Sequence, residues 1–255
     1  MFDSHIHTVM SFDSEMEASK ALESLKKNGM NGVFTEHYDF GYPEAESFEF
    51  NPVSYFKQYS TIHSESILLG IEVGMVEGYS VDAARLTQGH PFDYVIGSIH
   101  VVENVDIYYP EFYQGRSKLE TYLAYFRAME TCIQEYTDID ALGHIDYIAR
   151  YGPYENPEIW VEEDLKIAID RVLRLVIEKD WALEFNTRRI QDEKDFQVVL
   201  PIYQRFLELG GRYVTIGSDA HTPDAIGWKC AEAAERLRDL GLVPVVFKKR
   251  KRIVL

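Results

Sequence analysis

Cysteine is nearly missing from this chain. Two occur in 255 residues, Cys132 and Cys230, and no C-x-x-C pair is present. That excludes a disulfide scaffold, a zinc ribbon and a dithiol redox site, and the two thiols read as reduced packing residues of a cytosolic protein. Positive charge is also scarce: 26 Lys and Arg face 42 Asp and Glu, for a formal net charge of −16. A field of that sign argues against nucleic acid or an anionic membrane as a partner. It also sets a condition on any anionic substrate, which would need strong local positive charge from metal or arginine. The one basic run, Lys248-Lys249-Arg250-Lys251-Arg252, reads as a solvated end beside an edge strand. No stretch approaches the roughly 18 apolar residues of a membrane span, and no basic region followed by an apolar run opens the chain, so the expectation is a soluble cytoplasmic protein. No G-x-S-x-G elbow and no Walker loop occurs. Cys230 to Arg236 (CAEAAER) has the C-x5-R spacing of cysteine phosphatases, but it reads as an Ala/Glu helix whose two carboxylates would repel phosphate.

What is present is a chain with 46% hydrophobic residues, enough for one α/β domain over residues 1–255, with no linker. Short apolar segments alternate with helical patterns. Strands are expected at 2–7, 31–35, 67–73, 92–99, 139–142, 182–186 and 213–216, with an extra one at 243–247. Helices are expected at 14–28, 52–65, 82–88, 119–136, 162–179, 196–209 and 224–240. The segment 38–51, aromatic and acidic, suits a loop over a site. Seven short strands, each followed by a helix or a long loop, predict a parallel α/β fold, and a (β/α) barrel fits better than an open sheet.

The barrel is favoured by where the histidines fall. His5 and His7, two apart on one strand, project from the same face and can reach one metal ion. His37, His100, His144 and His221 also lie at or just past strand ends, and so does Glu72, a carboxylate in the apolar run ILLGIEV. In a barrel the C-terminal ends of the strands converge on one mouth; an open sheet would not gather all of them. Uncompensated polar groups at so many core-adjacent positions would cost several kcal/mol each, which points to a shared ligand. His63 and His90 fall outside this pattern and are expected to face solvent or make local hydrogen bonds.

These residues carry a resemblance. His5-Ile6-His7, Glu36-His37, Gly70-Ile71-Glu72, Gly97-Ser98-Ile99-His100, Gly143-His144 and Gly217-Ser218-Asp219-Ala220-His221 together resemble the PHP (polymerase and histidinol phosphatase) family of metal-dependent phosphoesterases, and within it the histidinol-phosphate phosphatases. The resemblance implies a distorted seven-stranded (β/α) barrel, TIM-like, holding three divalent metals (Mn, Fe or Zn). His5 and His7 would hold the first with Glu72 and Asp219, and Glu72 would bridge to a second held by His100 and His144. The third would be held by His37, His221 and Asp13, where Asp13 stands at a position often histidine in the family; a carboxylate suits Mn, Fe and Zn alike. A metal-bridging hydroxide, held by way of Glu72 and Asp219, would attack the phosphorus.

Three divalent ions outweigh the carboxylates Glu72, Asp13 and Asp219, so the site would be locally positive within an acidic protein. Arginine should complete the phosphate clamp. Arg150, Arg188 and Arg189 can reach the barrel mouth, with Arg116 a weaker candidate. The loop 38–50 offers aromatic and acidic groups for an amine and an imidazole on the leaving group. The expected partner is therefore a small phosphomonoester, with histidinol phosphate first. Another phosphomonoester, a phosphotyrosine or a nucleotide is the alternative within the family, and a non-catalytic metal-binding relative the alternative outside catalysis.

Overall fold

The computed structural model describes residues 1–43 and 48–255. In chain order the elements are β1 (Phe2–Ile6), α1 (Ala18–Asn28), β2 (Asn31–Asp39), α2 (Pro52–Tyr59), β3 (Ile67–Gly74), α3 (Ser80–Gly89), β4 (Tyr94–Ser98), β5 (Val101–Val102), β6 (Val105–Asp106), α4 (Lys118–Glu135), β7 (Ala141–Leu142), α5 (Ile148–Tyr151), α6 (Glu163–Glu178), β8 (Ala182–Asn186), α7 (Glu193–Glu208), β9 (Tyr213–Gly217), α8 (Cys230–Leu240), β10 (Val243–Lys248) and β11 (Lys251–Val254). The main sheet runs β1-β2-β3-β4-β7-β8-β9-β10-β11. Its pairs are parallel except β10 with β11. The expectation of an α/β fold on a mostly parallel sheet holds.

The sheet curls. Val33, Leu68, Tyr94, Ile96, Ala141 and Ala182, from five different strands, share one packed cluster with Val245, Val246 and Phe247 of β10. Residues of β2 and β8, at opposite sides of the sheet order, share this cluster through β10, which a flat sheet would not allow. Tyr94 and Phe247 stack with ring centroids 5.4 Å apart and 8° between planes, and the Tyr94 hydroxyl lies 2.9 Å from Thr215 Oγ1. At the other end of the strands the backbone of β1 meets the segment after β9. The His7 N–H donates to the Ala220 carbonyl at 2.9 Å, and the Ala220 N–H to that of His5 at 3.3 Å. Helices cover the outside. The Ser117/Glu120 and Asp192/Asp195 capping boxes start α4 and α7, satisfying backbone N–H groups that the first turn leaves free.

Several expected boundaries move for identifiable reasons. Residues 14–17 are not helical, because Ser14 Oγ is drawn to the carbonyls of His7 and His221 and the chain loops past the strand ends before α1 begins. The helix expected at 52–65 stops at Tyr59, so His63 lies in a turn, where its Nε2 is 2.7 Å from Asp93 Oδ2. Strand β2 runs on to Asp39, which puts His37 inside the strand rather than past its end. The closing helix is interrupted at Gly227 and Lys229, both at positive φ, and resumes at Cys230. Cys230 to Arg236 is therefore helical, burial pushes the Cys230 thiol well up, and Arg236 pairs with Glu193 and Glu232.

The basic run is a solvated end beside an edge strand only in part: Lys249 and Lys251 are exposed and β11 is the sheet's edge, but the run is also pinned by ion pairs. Lys249 and Arg250 form a two-residue turn, both at positive φ, between β10 and β11. Arg250 Nε donates to Asp140 Oδ2 at 2.6 Å and Nη1 to Asp138 Oδ2 at 3.0 Å, while the Lys249 N–H donates to Asp93 Oδ1 at 2.9 Å. The turn docks on acidic groups that flank β4 and β7. No helix among the described residues is long and apolar enough to cross a membrane.

Candidate metal centre

The parallel strands deliver their polar side chains to one place. Glu72 is fully buried in β3, whose every residue is buried. Its Oε1 accepts from Ser98 Oγ at 2.6 Å and lies 2.8 Å from His144 Nε2 and 3.4 Å from His100 Nε2. Its Oε2 lies 3.1 Å from His5 Nε2, 3.4 Å from His7 Nε2 and 3.1 Å from His37 Nδ1. Asp219, in the left-handed region at φ 54°, puts Oδ1 3.5 Å from His7 Nε2 and 3.9 Å from His5 Nε2. An Asp tolerates that backbone, where most residues would be strained. Asp13 Oδ2 lies 3.1 Å from His221 Nε2 and 3.6 Å from His37 Nε2. All nine expected metal-site residues are thus within one connected cluster.

Donor atoms of eight of the nine, with Asp39, converge in four overlapping groups, and Asp13 is in none of them: His5, His7 and Asp219; Glu72, His100 and His144; His7, His37 and His221; and His37, Asp39 and His100. Asp39 is an addition that the sequence reading lacks. Among the described residues, His5 Nε2, His7 Nε2, His37 Nδ1, His144 Nδ1, Asp39 Oδ1 and Glu72 Oε2 are buried without a hydrogen-bond partner. Burying so many polar atoms unpaired is expensive, and a shared cation satisfies imidazole nitrogen and carboxylate oxygen together.

The electrostatics point the same way. Burial would raise the Glu72 pKa, but His5, His37 and His100 hold it well below the usual carboxylate range. Burial likewise opposes ionisation of Asp219, and Arg150, His5 and Arg188 overcome it. Burial would lower His37, yet Glu72 and Asp13 hold it up at about 9. His5 and His100 are raised against burial by Glu184 with Glu72 and by Asp39 with Glu72 respectively. His7 goes down, through burial and the neighbouring His37 and His221 rings, which stack on it at 4.2 and 4.3 Å between centroids. The cluster draws protons onto buried imidazoles because it holds negative charge that needs a positive partner.

Outer groups fix the imidazole tautomers. His5 Nδ1 lies 2.6 Å from Glu184 Oε1 and His100 Nδ1 2.7 Å from Asp39 Oδ2, so each Nδ1 carries its hydrogen outward and each Nε2 faces Glu72. For His7 the partner is Ser11 Oγ at 3.0 Å, and the proton count is closed. Ser11 gives its one hydrogen to Glu36 Oε2 at 2.7 Å and accepts from the His37 N–H at 3.0 Å, leaving one acceptor position for His7 Nδ1–H. His221 Nδ1 reaches the Asp219 carbonyl at 2.9 Å, which turns its Nε2 toward Asp13. Glu184, Asp39, Ser11 and Glu36 were not among the expected site residues. For Glu184 a signal existed, since it is an acidic residue inside the apolar strand ALEFN just as Glu72 is inside ILLGIEV.

Above the cluster opens a cavity of about 310 Å³, lined by residues including Asp13, His37, His100, His144, Asp219 and His221. Arg150 and Arg188 line it; Arg116 and Arg189 do not. Arg150 is 12% exposed at its side chain, donates to Asp219 Oδ2 at 2.9 Å and to Asn186 Oδ1 at 3.4 Å, and lies over the Tyr147 ring. Arg188 Nη1 is 3.3 Å from Asp219 Oδ1. Arg189 is instead turned to Asp146 at 2.5 Å and Glu158 at 3.1 Å, and Arg116 to Glu103 at 2.6 Å. The clamp expectation is corrected for these two: the first is spent on a partly buried ion pair below the mouth, the second on a surface one. From the aromatic loop, Tyr42 and Phe48 line the cavity, and residues 44–47 lie outside the described residues.

Residues 3–188 match the PHP domain family. The chain is 39% identical to a probable histidinol-phosphatase of Clostridium acetobutylicum over 98% of each chain. It is 33% identical to a histidinol-phosphatase of Lactococcus lactis, covering 86% of this chain and 83% of that one. Its fold is similar to the crystal structure of histidinol phosphate phosphatase from Lactococcus lactis complexed with zinc, L-histidinol and phosphate, with a TM-score of 0.90 and 29% identity over 99% of this chain and 98% of that chain. With the family matched over most of its length and a relative this similar from end to end, the chain belongs to the PHP domain family.

Proposed function

We infer that this protein is a metal-dependent phosphomonoester hydrolase of the histidinol-phosphatase type, converting L-histidinol phosphate and water to L-histidinol and phosphate in histidine biosynthesis. One observation carries the reading: the Nε2 atoms of His5 and His7 and Oε2 of Glu72 are buried, mutually close and without hydrogen-bond partners among the described residues. End-to-end similarity to histidinol-phosphatases supports the substrate.

The donor set fits divalent cations. His5, His7, Glu72 and Asp219 would hold one, Glu72, His100 and His144 a second, and His37, His221 and Asp13 a third, with Mn, Fe or Zn suited to such imidazole and carboxylate ligands. Glu72 would be the bridge and have no acid/base role of its own. When bound, divalent ions draw charge from phosphate oxygens and lower the pKa of water. The chain's own groups then supply orientation and fixed charge. Glu184, Asp39 and Ser11 keep the Nδ1 hydrogens of His5, His100 and His7 outward. Arg150, held by Asp219 and Asn186, and Arg188, beside Asp219, both line the cavity and would bring fixed positive charge to a phosphate bound there. Their charge, with that of the metals, answers the overall charge of −16.

We read β1, β2, β3, β4, β7, β8 and β9 as a distorted seven-stranded barrel, TIM-like, with its seam at the Ile6–Ala220 bridge. The reading takes residues 1–255 as a single domain working in the cytoplasm on a small phosphomonoester, with neither nucleic acid nor membrane as partner.

The test is phosphate release by metal-reconstituted protein from histidinol phosphate among a few dozen phosphomonoesters, with metal analysis of the same preparation. Histidinol phosphate should be the fastest substrate and up to three ions per chain should be found. No release from it with Mn, Fe or Zn would sink the function, and a stoichiometry that never exceeds one would sink the trinuclear site. Glu72→Gln should lose metal together with activity; full metal content with no turnover would count against the bridge.

A further inference from the structure

Among the described residues four carboxylates line the cavity, and three are answered by basic side chains. Asp13 faces His37 and His221, Asp39 faces His37 and His100, and Asp219 takes Arg150 and Arg188. The fourth, Asp106, is 7% exposed and pairs with no Lys, Arg or His among the described residues. Its partners are neutral: the Tyr42 hydroxyl donates to Oδ2 at 2.6 Å and the Tyr108 N–H to Oδ1 at 2.7 Å. Neutral donors orient a carboxylate without cancelling its charge, and a buried carboxylate ordinarily has a cationic partner. Burial and Asp106 together hold the Tyr42 hydroxyl firmly protonated, so it remains a donor.

The fold brings this carboxylate to the rim. Glu103 and Asn104, both at positive φ, turn the chain back immediately after His100, so that β6 pairs Asp106 with Val101 and the Ile107 N–H bonds the His100 carbonyl at 2.9 Å. Around it the cavity wall is aromatic, with Tyr42, Phe48, Tyr108, Tyr109, Tyr147 and Tyr151. A lone carboxylate in an aromatic wall is chemistry for an organic cation, which gains an ion pair and the negative faces of the rings at once. The arginines of the same cavity, which attract phosphate, lie instead against Asp219.

We propose that Asp106, oriented by Tyr42, is a specificity-determining residue that binds the cationic nitrogen of the leaving alcohol while Arg150 and Arg188 hold the phosphate. The proposal rests on the phosphomonoesterase reading above and extends it to a class: monoesters whose alcohol carries an ammonium or imidazolium group.

The experiment compares metal-loaded wild type, Asp106→Asn and Tyr42→Phe on histidinol phosphate and on a matched pair, 3-aminopropyl phosphate and propyl phosphate. Wild type should prefer the aminopropyl ester. Asp106→Asn should lose about 10- to 100-fold in kcat/KM on both cationic esters, mainly through KM, and stay within about threefold on propyl phosphate. Tyr42→Phe should shift the same preference by less. A wild type that favours propyl phosphate, or equal losses on both members of the pair, would overturn the assignment and leave Asp106 as a turn-stabilising residue. Calorimetric binding of L-histidinol separates the two levels of the argument. If no ester releases phosphate, the hydrolase reading fails, yet weaker binding by Asp106→Asn still supports the cation site and unchanged binding overturns it. Should Asp106→Asn fail to fold, Tyr42→Phe carries the same comparison with the same two outcomes.

Discussion

His5 Nδ1 and Glu184 Oε1 lie 2.6 Å apart, both fully buried, although 179 residues separate them in the chain. Strand β8 contributes no residue to the proposed ligand set, yet its Glu184 orients the ring of His5 in β1. The other Glu184 oxygen accepts the His144 N–H at 2.8 Å, so one carboxylate steadies ligands of two groups of the centre. Replacing Glu184 with Gln keeps the size and removes the charge that holds the Nδ1 hydrogen in place. Metal affinity should fall about 10- to 100-fold, as when other orienting partners of ligating histidines are lost. Competition of the apoprotein against a metallochromic dye measures this, and wild-type affinity in Glu184→Gln would show that His5 needs no such support.

Arg188 and Arg189, adjacent in sequence, should separate in function, with Arg150 on the side of Arg188. Arg150→Ala should lower kcat/KM by on the order of 10- to 1000-fold, since a charged hydrogen bond lost from a desolvated site costs about 1.5–4 kcal/mol, whereas Arg188, 40% exposed at its side chain, is screened by solvent and Arg188→Ala should lower it by less. Arg189→Ala should leave kcat/KM nearly unchanged and lower stability by about 1–3 kcal/mol, because Asp146, 8% exposed at its side chain, loses its partner. Steady-state kinetics and urea unfolding on the three variants decide it. Loss of activity in Arg189→Ala without loss of stability would return it to the phosphate clamp.

Much of the histidine and carboxylate cluster was legible because its residues lie at the ends of apolar strands or, like Glu72, inside one. A histidine after FDYVIGSI or a glutamate inside ILLGIEV breaks a strong local pattern, and a pattern break is visible in one dimension. Asp39 was not, because the aromatic, acidic composition of 38–51 reads as loop, whereas pairing with β3 extends β2 through Asp39. Glu36 acts only through contacts with another chain segment, at Thr8 and Ser11, and Ser11 reaches His7 across a loop whose shape no spacing rule contains. Asp13 came from the family resemblance alone: it is half-exposed and its meaning lies in His221, 208 residues away. The docking of β10 and β11 was hidden for the opposite reason, as five basic residues in a row look like a surface when Asp93, Asp138 and Asp140 are out of sight.

That docked turn yields its own expectation. Arg250 is the partner of both Asp138 and Asp140, and Asp140 is 9% exposed at its side chain. Arg250→Ala should destabilise the protein by about 2–4 kcal/mol, as removal of one member of a largely buried ion network does. The turn packs at the opposite end of the strands from the histidines, so kcat/KM of the folded fraction should stay at the wild-type level. A urea midpoint that does not move would mean the pairs are solvent-screened and contribute little.

The metal-free protein should have a stability profile that the metal-loaded protein lacks. His37, held at about 9 against an ordinary 6.5, contributes stability that is complete below pH 6.5 and lost as pH rises through 9. His5 and His100 are shifted in the same direction and lose their contribution the same way. His7, shifted down, acts oppositely and takes some stability away below pH 6.5. Glu72 and Asp219, shifted below their ordinary 4.5 and 3.8, contribute above those values and cease to as acid protonates them. The melting temperature of the apoprotein should therefore be highest at mildly acidic pH and fall from pH 6.5 to 9.5. Divalent ions replace those protons as the positive partner of Glu72, so loading should flatten the alkaline side. It should also release protons near pH 8, seen as a calorimetric binding enthalpy that depends on the buffer's ionisation enthalpy. If the apoprotein were as stable at pH 9.5 as at 6.5, and loading released no protons, the buried imidazoles would not be sharing their charge with Glu72, and the account of why this cluster needs a cation would fail.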